Sequence, residues 1–307
     1  MKPAVALVSA RRARGLDEDE APLLAALRAS GARVDVADWD DPGVDWGSYA
    51  LAVLRSTWDY IDHLGEFLAW ADRVATLTAL SNSAGVVRWN TDKHYLSELA
   101  RAGVPTVPSR FIEPGQSVAI GVEQFVSELA EAEFVVKPAV GAGSRDTYRF
   151  RRQTLGAATA HAHQLLAANR SALLQPYLDR VDESGETSLI FYAGEFDHAI
   201  RKGPMLPRPR DAESGRPAVT GTSSSLFVPE RITPRIPQED ELGVAAKALA
   251  AVPHGDLLYA RVDLIRDAAG APVLLELELT EPSLFFAHSP GSAERFGKVI
   301  LTHAFKT

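Results

Sequence analysis

The chain has 307 residues, of which 46% are hydrophobic and 23% charged, as expected for a folded protein of two or three lobes. Its formal net charge is −8 without a basic run, which argues against nucleic acid as a partner. The absence of cysteine excludes disulfides and thiolate metal sites, and no apolar stretch reaches membrane-spanning length, so we expect a cytoplasmic protein with no membrane contact.

The first 91 residues alternate between short apolar runs and helical patterns. Residues 5–9, 34–36 and 51–54 are predicted strands. Acidic residues at 17–20 followed by Pro22 predict a helix that ends before Gly31, and residues 66–74 predict a second helix. Strands that alternate with helices indicate a parallel sheet with crossover helices.

The remainder of the chain changes from a mixed pattern to hairpins. The capping residues 90–92 predict the start of a helix that carries Leu96 and Leu99 and ends at Gly103. The further predicted helices are 122–132, 155–168, 239–251 and 292–305. The further predicted strands are 133–137, 172–175, 187–192, 196–200, 258–266 and 272–279. The predicted fold class is therefore α/β followed by α+β.

The last predicted hairpin carries the strongest chemical signal. Alternation with period two places Glu276 and Glu278 on one face, with Leu275, Leu277 and Leu279 on the other. Arg261 and Asp263 share a face of the neighbouring strand, and a four-residue turn at 267–270 predicts that Arg261 lies opposite Glu276. Three carboxylates without Cys or His favour Mg²⁺. A solvent-exposed hairpin face is the alternative.

A second signal follows the strand at 133–137. Lys137 ends this apolar strand, and Gly141, Gly143 and Ser144 follow in a loop whose backbone amides could approach phosphate oxygens. An ordinary flexible turn is the alternative. Lys93 near a helix start is a weaker signal, since an exposed helix lysine is the better explanation when this residue is taken alone.

A third signal lies at the end of the strand at 172–175. The backbone of Gln175, Pro176, Tyr177 and Leu178 could bind a flat base, and an acid that follows could accept ribose hydroxyls. The alternative is a strand that leads into a solvated loop.

In this order, the residues resemble the ATP-grasp superfamily over roughly residues 86–290. The resemblance implies an ATP-grasp fold preceded by a parallel-sheet pre-ATP-grasp domain. It implies three units: residues 1–91 as the preceding domain, 92–178 as the central lobe, and 179–307 as the C-terminal lobe with the metal site. The implied cofactors are ATP and Mg²⁺. Many members have Glu-x-Asn where this chain has Glu276-Leu277-Glu278.

The resemblance also implies a role for each matching residue. Lys93 and Lys137 bind ATP phosphates, together with the loop of Gly141, Gly143 and Ser144. Gln175, Pro176, Tyr177 and Leu178 line the adenine pocket, and Glu186, with Glu183 as second choice, binds the ribose. Asp263, Glu276 and Glu278 bind Mg²⁺, and Arg261 steadies an acyl phosphate. Apart from the resemblance, Arg201 and Lys202 are further candidates to hold that acyl phosphate.

Two stretches, 54–60 and 276–283, are similar to the cyclo-ligase family of D-cycloserine biosynthesis, which acts on O-ureido-D-serine. Arg55, Ser56, Thr57 and Asp59 follow a predicted strand, where open α/β sheets bind ligands, so we expect them to hold an amino-acid-like substrate. Local capping with Trp58 in the core is the alternative. Glu281 is expected near the substrate, and by its position alone it is a candidate for the proton acceptor, which the sequence does not identify.

Alternatives of other kinds remain open at this stage. The same fold could join two separate amino acids or peptides, or could bind a nucleotide as a regulator without chemistry. A metallohydrolase built on His161 and His163 is set aside because these residues have no acidic neighbour. Residues 141–146 and 202–225 are the predicted lids, and the sequence leaves a homo-oligomer open.

Overall fold

A computed structural model describes residues 4–206 and 231–305. The strands within this part are β1 (Ala4–Ser9), β2 (Arg33–Asp38), β3 (Leu51–Ser56), β4 (Ala79–Ser81), β5 (Arg110–Ile112), β6 (Glu133–Pro138), β7 (Tyr148–Arg151), β8 (Ala172–Pro176), β9 (Glu186–Tyr192), β10 (Glu195–Lys202), β11 (Ile232–Arg235), β12 (Tyr259–Arg266) and β13 (Pro272–Glu278). The helices are α1 (Glu20–Ala29), α2 (Leu64–Val74), α3 (Ala84–Asn90), α4 (Tyr95–Arg101), α5 (Val118–Glu128), α6 (Leu155–Ala167), α7 (Val181–Ser184), α8 (Glu239–Ala250) and α9 (Ser292–Ala304).

The first sheet is parallel, in the order β2-β1-β3-β4. Its central strands are apolar up to their carboxyl ends, where Ser9, Arg55 and Ser56 lie, and the side chains from Val5 to Val8 are almost fully buried. Burial on both faces is what a parallel sheet covered by crossover helices requires. The parallel sheet predicted for the first lobe is therefore confirmed.

The second sheet is antiparallel, in the order β5-β8-β6-β7. Helices α5 and α6 cover one face, where Val122, Phe134 and Leu174 belong to one buried cluster. The polar ends of β6 and β8, which carry Lys137 and Gln175, are left for the cleft described below.

The third sheet is antiparallel, in the order β11-β10-β9-β12-β13. One face packs on α8 and α4 through residues such as Phe191 and Val262. The other face is divided along the strands: Ile190 and Tyr259 pack against α9 and the first sheet, whereas Glu186 and Asp263 lie towards the cleft. The period of two thus gives this face an apolar end and a charged end.

Two local expectations need correction. Residues 90–92 do not begin a helix, because Asn90 ends α3 and α4 begins at Tyr95 after His94. The Asn90 amide instead bonds the carbonyl of Leu277 and the amide of Leu279, each at 2.7 Å. The short elements β4, β5, β7, β11 and α7 were not predicted, since three or four residues are too few to show a period.

The three sheets fall within the three predicted ranges 1–91, 92–178 and 179–307. The exact boundaries stay a prediction, and α4 from the middle range packs on the third sheet. Within residues 4–206 and 231–305, no helix is both long and apolar enough to cross a membrane.

We expect Asn90→Ala to lower the free energy of unfolding by about 2–4 kcal/mol, because it leaves two buried backbone groups without a partner. Urea unfolding followed by circular dichroism measures this change. The exposed Gln153→Ala is the control and should shift stability by less than about 0.5 kcal/mol. Equal effects of the two substitutions would contradict the bridging role of Asn90.

Candidate functional site

A cleft of about 810 Å³ receives residues from the second and third sheets and from segments of the first lobe that lie outside its strands. Of the residues predicted from the sequence, those on its wall are Lys93, Lys137, Gly141, Gly143, Ser144, Gln175, Pro176, Tyr177, Leu178, Glu186, Lys202, Arg261, Asp263, Glu276, Glu278 and Glu281. Stretches up to 188 residues apart in the chain, from Lys93 to Glu281, thus meet around one space. The cleft is large enough for a nucleotide together with a small substrate.

The hairpin register differs from the predicted one. Arg261 lies opposite Glu278, and Asp263 lies opposite Glu276. The predicted pairing is wrong for two reasons. The amide of Asp267 bonds the carbonyl of Ala271, which shifts the turn by one position, and a β-bulge beyond Asp263 shifts the register again.

The bulge also changes which residues face the cleft. Leu275 and Glu276 both lie on the cleft wall, whereas Leu274 is fully buried in the core on the opposite face. The expectation that Leu275 shares a face with Leu279 is therefore wrong, because the extra residue interrupts the alternation. The predicted convergence of Arg261, Asp263, Glu276 and Glu278 still holds.

The acids at the floor of the cleft are held by two buried cations. Arg261 donates to both oxygens of Asp263, with Nε–Oδ1 at 3.0 Å and Nη2–Oδ2 at 2.9 Å, and it also pairs with Glu278. Lys202 bridges Glu186 and Asp263, at 2.6 Å and 2.9 Å. Each cation therefore neutralises two carboxylates, as buried charge requires.

The pKa values of these acids diverge with their surroundings. Burial raises the pKa of Glu186 and that of Glu278 to about 7. The charge of Lys202 opposes this rise at Glu186, and the charge of Arg261 opposes it at Glu278. Burial would also raise the pKa of Asp263, but Arg261 and Lys202 outweigh it and hold the value below the usual range. Asp263 is thus the acid that keeps its negative charge most firmly.

Two buried lysines face these acids. Lys93 bonds Glu276 Oε1 at 3.0 Å and the carbonyl of Gly141 at 2.8 Å. Lys137 is only 8% exposed, and among the described residues it makes no hydrogen bond and no close ion pair, although the Glu276 carboxylate attracts it from farther away. Burial lowers its pKa to about 8. An unpaired buried cation on a cleft wall is suited to bind an anion.

The acids fit a magnesium ion that shares its ligands with a bound molecule. Asp263, Glu276 and Glu278 offer only oxygen atoms, which Mg²⁺ prefers. Within the described residues, no three acidic or histidine side chains converge closely enough to enclose a metal by themselves. Phosphate oxygens would have to supply further ligands, as they commonly do for Mg²⁺.

The opposite end of the cleft is apolar. Val135, Leu178, Ile265 and Leu275 line it together with Tyr177. The Arg149 guanidinium lies 3.3 Å from the centre of the Tyr177 ring, and the Tyr177 hydroxyl bonds Asp182. This ring is held rigidly at the position where the sequence predicted a base-binding strand.

Arg201 and Glu183, predicted for the acyl phosphate and the ribose, lie away from the cleft wall. The Arg201 guanidinium donates to the carbonyls of Ser184 and Glu183, at 2.6 Å and 2.7 Å, and so caps the end of α7. Glu183 itself is exposed on the surface, which leaves Glu186 as the acid in the cleft. Gly185 makes this turn possible, since its φ is +70° and a Cβ would lie 2.4 Å from the Lys202 carbonyl.

The four residues predicted to hold a substrate, Arg55, Ser56, Thr57 and Asp59, are buried behind the cleft wall. Arg55 donates to the carbonyl of Pro282 at 3.0 Å. Ser56 bonds Ser9 at 2.8 Å, and Asp59 accepts the Trp39 indole at 2.9 Å. A segment more than 200 residues later covers the sheet edge, so these four residues lie behind the cleft wall, and their direct contact with a substrate stays a prediction.

The same motif contains a residue that the sequence did not single out. Tyr60 lines the cleft and donates its hydroxyl to the carboxylate of Glu281. Burial, followed by the charge of Glu278, raises the pKa of Glu281 to about 8. The aromatic residue that ends the stretch 54–60 was the available signal.

The predicted lids lie partly within the described residues. The loop at 141–146 lines the cleft, and so do Gly203, Met205 and Leu206 from the start of the second lid. The remainder of 202–225 lies outside the described residues. His161 bonds the carbonyl of Asp146 at 2.9 Å, so it anchors the first loop.

Comparison with known proteins supplies independent information. Residues 5–82 match the family model of the D-cycloserine synthetase DcsG N-terminal domain. The cycloserine biosynthesis protein DcsG of Streptomyces lavendulae is 39% identical over 304 residues, which covers 96% of this chain and 97% of that protein.

Solved structures show the same relationship. A crystal structure of D-cycloserine synthetase DcsG has a TM-score of 0.88 at 37% identity, over 98% of this chain and 99% of that one. The D-alanine–D-alanine ligase of Bacillus anthracis, solved with ATP, has a TM-score of 0.70 at 13% identity, over 100% and 98% of the two chains. This last likeness concerns the fold alone.

We expect Lys137→Met to raise the urea midpoint near neutral pH, because it removes a buried charge. The wild-type pKa is lowered from 10.5 to about 8, so the folded protein binds this proton less tightly than the unfolded chain does. The buried charge of Lys137 therefore lowers the free energy of unfolding by its full amount below about pH 8, and this effect disappears towards pH 10.5. The gain from the substitution should therefore shrink over that range.

The exposed Lys247→Met in α8 is the matched control and should show no such pH dependence. A gain for Lys137→Met that is constant from neutral to alkaline pH would contradict the assignment of an unpaired buried charge.

Proposed function

Because this chain belongs to the D-cycloserine synthetase DcsG family and has the ATP-grasp fold, we propose that it is an ATP-dependent cyclo-ligase that converts O-ureido-D-serine to D-cycloserine. It is a ligase that forms a C–N bond. The observation that carries the proposal is the unpaired buried Lys137, which shares one cleft with Asp263, Glu276 and Glu278.

ATP is proposed to lie along the cleft, with its base at the apolar end. Tyr177, Leu178 and Leu275 would enclose the adenine, while the backbone of Gln175 and Pro176 supplies its polar contacts. Glu186 is proposed to accept the ribose hydroxyls. The support is that Glu186 lies on the cleft wall, whereas Glu183 is exposed.

The phosphates are proposed to meet the cations of the other wall. Lys137 is the principal contact because it has no competing partner among the described residues, and Lys93 lies beside it on the Gly141 carbonyl. Gly143 and Ser144 would add backbone amides. Asp263, Glu276 and Glu278 would hold Mg²⁺, which neutralises phosphate charge when bound.

In the proposed reaction, the substrate carboxylate attacks the γ-phosphorus of ATP, and ADP leaves. Arg261 is placed to stabilise the acyl phosphate, since its guanidinium lies between Asp263 and Glu278 on the cleft wall. Lys202 is the second cation on that wall, whereas Arg201 is directed to the end of α7.

Ring closure then forms a C–N bond and breaks the bond between the acyl carbon and phosphate. The attacking ureido nitrogen loses a proton, and we propose that Glu281 accepts it. Each of the other acids on this floor is bonded to Lys or Arg, whereas Glu281 is bonded to the neutral hydroxyl of Tyr60. Loss of the carbamoyl group, which takes up one water, completes D-cycloserine.

The proposal predicts that purified protein with Mg²⁺-ATP and O-ureido-D-serine releases ADP together with D-cycloserine, which mass spectrometry detects. Lys137→Met should abolish both products while it stays folded. A panel of small amino acids, alone and in pairs, tests joining of two molecules. ADP formation that requires a second amino acid would overturn ring closure, and no ADP with any substrate would indicate a non-catalytic nucleotide-binding protein.

Glu281→Gln should lower kcat by about 10²-fold or more, with little change in the KM for ATP, because the proton acceptor is lost. In the wild type, kcat/KM should rise with pH as Glu281 ionises near 8 and fall as Lys137 loses its charge near 8. The pH profile of kcat/KM for Glu281→Gln should lack the rising limb and keep the falling limb.

Tyr60→Phe keeps the carboxylate but removes the hydrogen bond that lowers its pKa, so it should move the rising limb to higher pH. Glu123→Gln, on the exposed face of α5, is the control and should leave the profile unchanged. An unaltered rising limb in Glu281→Gln would rule out this carboxylate as the base.

A further inference from the structure

One ion pair links the glycine-rich loop of the second sheet to the first sheet. Arg145 donates to both oxygens of Asp62, with Nη1–Oδ2 at 2.9 Å and Nη2–Oδ1 at 2.8 Å. Asp62 ends the short 3-10 turn Trp58–Asp62. The partners are 83 residues apart, and their side chains are 30% and 27% exposed. A two-fold contact of this kind fixes orientation as well as distance.

The base of the loop is held separately, from its own side of the cleft. Arg170 bonds Asp146 Oδ2 at 2.6 Å, and Lys93 bonds the carbonyl of Gly141 at 2.8 Å. Between these anchors, Ser144 and Asp146 have φ of +56° and +58°, which non-glycine residues rarely adopt. A loop that is fixed at its base and strained at its tip needs a contact at the tip to keep its position.

The turn that receives Arg145 also forms the substrate side of the cleft. Tyr60 within this turn binds the Glu281 carboxylate, and the Trp58 indole bonds the carbonyl of Glu281 at 3.0 Å. The tip of the loop and the proposed proton acceptor therefore both contact the same five-residue turn. Asp62 itself does not line the cleft.

We propose that Asp62 and Arg145 form an interlobe latch, in which Asp62 is a positioning residue that holds loop 141–147 over the substrate carboxylate. The inference rests on the proposed function, since its consequence concerns an acyl phosphate. With the latch formed, the loop excludes water, and the acyl phosphate is consumed by the ureido nitrogen. With the latch broken, water attacks the acyl carbon, which releases phosphate and returns the free carboxylate, and ATP is spent without a product.

Asp62→Asn tests the latch without removing any group from the cleft wall. We expect the ratio of ADP to D-cycloserine to rise by about two- to fivefold, as expected for loss of one partly exposed ion pair. Asp62→Glu should restore the wild-type ratio. A merely destabilised protein would lose ADP and D-cycloserine formation together, so the ratio separates positioning from folding.

Arg12→Gln is the matched control. Arg12 also contacts Asp62, at 3.3 Å, but it belongs to the first 91 residues, as Asp62 does, and cannot link the two sheets. Its removal should leave the ratio at the wild-type value. A ratio that rises equally in Arg12→Gln and Asp62→Asn would overturn the latch, and so would an unchanged ratio in Asp62→Asn.

Hydrogen exchange gives a second readout that needs no substrate. Backbone amides of residues 141–147 should exchange faster in Asp62→Asn than in the wild type or in Arg12→Gln. Equal exchange in all three proteins would overturn the latch. If the wild type makes no D-cycloserine, the proposed function fails, and exchange alone decides whether the latch exists.

Discussion

Charge compensation among buried groups is the constraint that shapes the cleft. Arg261 joins Asp263 to Glu278, and Lys202 joins Asp263 to Glu186, so Asp263 lies at the centre of a connected set. Loss of one partner from such a set leaves an uncompensated buried charge, which costs several kcal/mol. The set also ties four strands together, because its members come from β9, β10, β12 and β13. The charged floor is therefore part of the fold of the third sheet.

The sequence predicted the fold well where the hydrophobic pattern repeated over many residues. It predicted the site where polar residues interrupted apolar strands. The acids of β13 and the lysine that ends β6 were identified in this way. It failed where contacts come from distant segments. Nothing near Arg55 reveals that Pro282 covers it, and alternation alone cannot show the bulge that places Arg261 opposite Glu278. Register depends on turn geometry as well as pattern.

The first 91 residues act on the cleft mainly through one segment of the chain. The Asp19 carboxylate accepts the backbone amides of Leu284, Phe285 and Phe286, at 2.6 to 2.9 Å. Arg55 holds the carbonyl of Pro282 nearby. These bonds fix Phe285 at a φ of +55°, with its ring 5.4 Å from the Arg261 guanidinium. The first lobe thus supports the segment that carries Glu281, in addition to the residues near Asp19 and Tyr60 that it contributes to the cleft wall itself.

The β-bulge in the last hairpin sets a limit on how this strand can vary. Because Leu275 and Glu276 face the cleft side by side, one strand offers an apolar contact and a carboxylate to adjacent parts of the same ligand. Substitutions can alter either contact separately. Loss of a single residue would instead restore strict alternation and move one of them to the core face. The strand can therefore tolerate changes of composition but not of length.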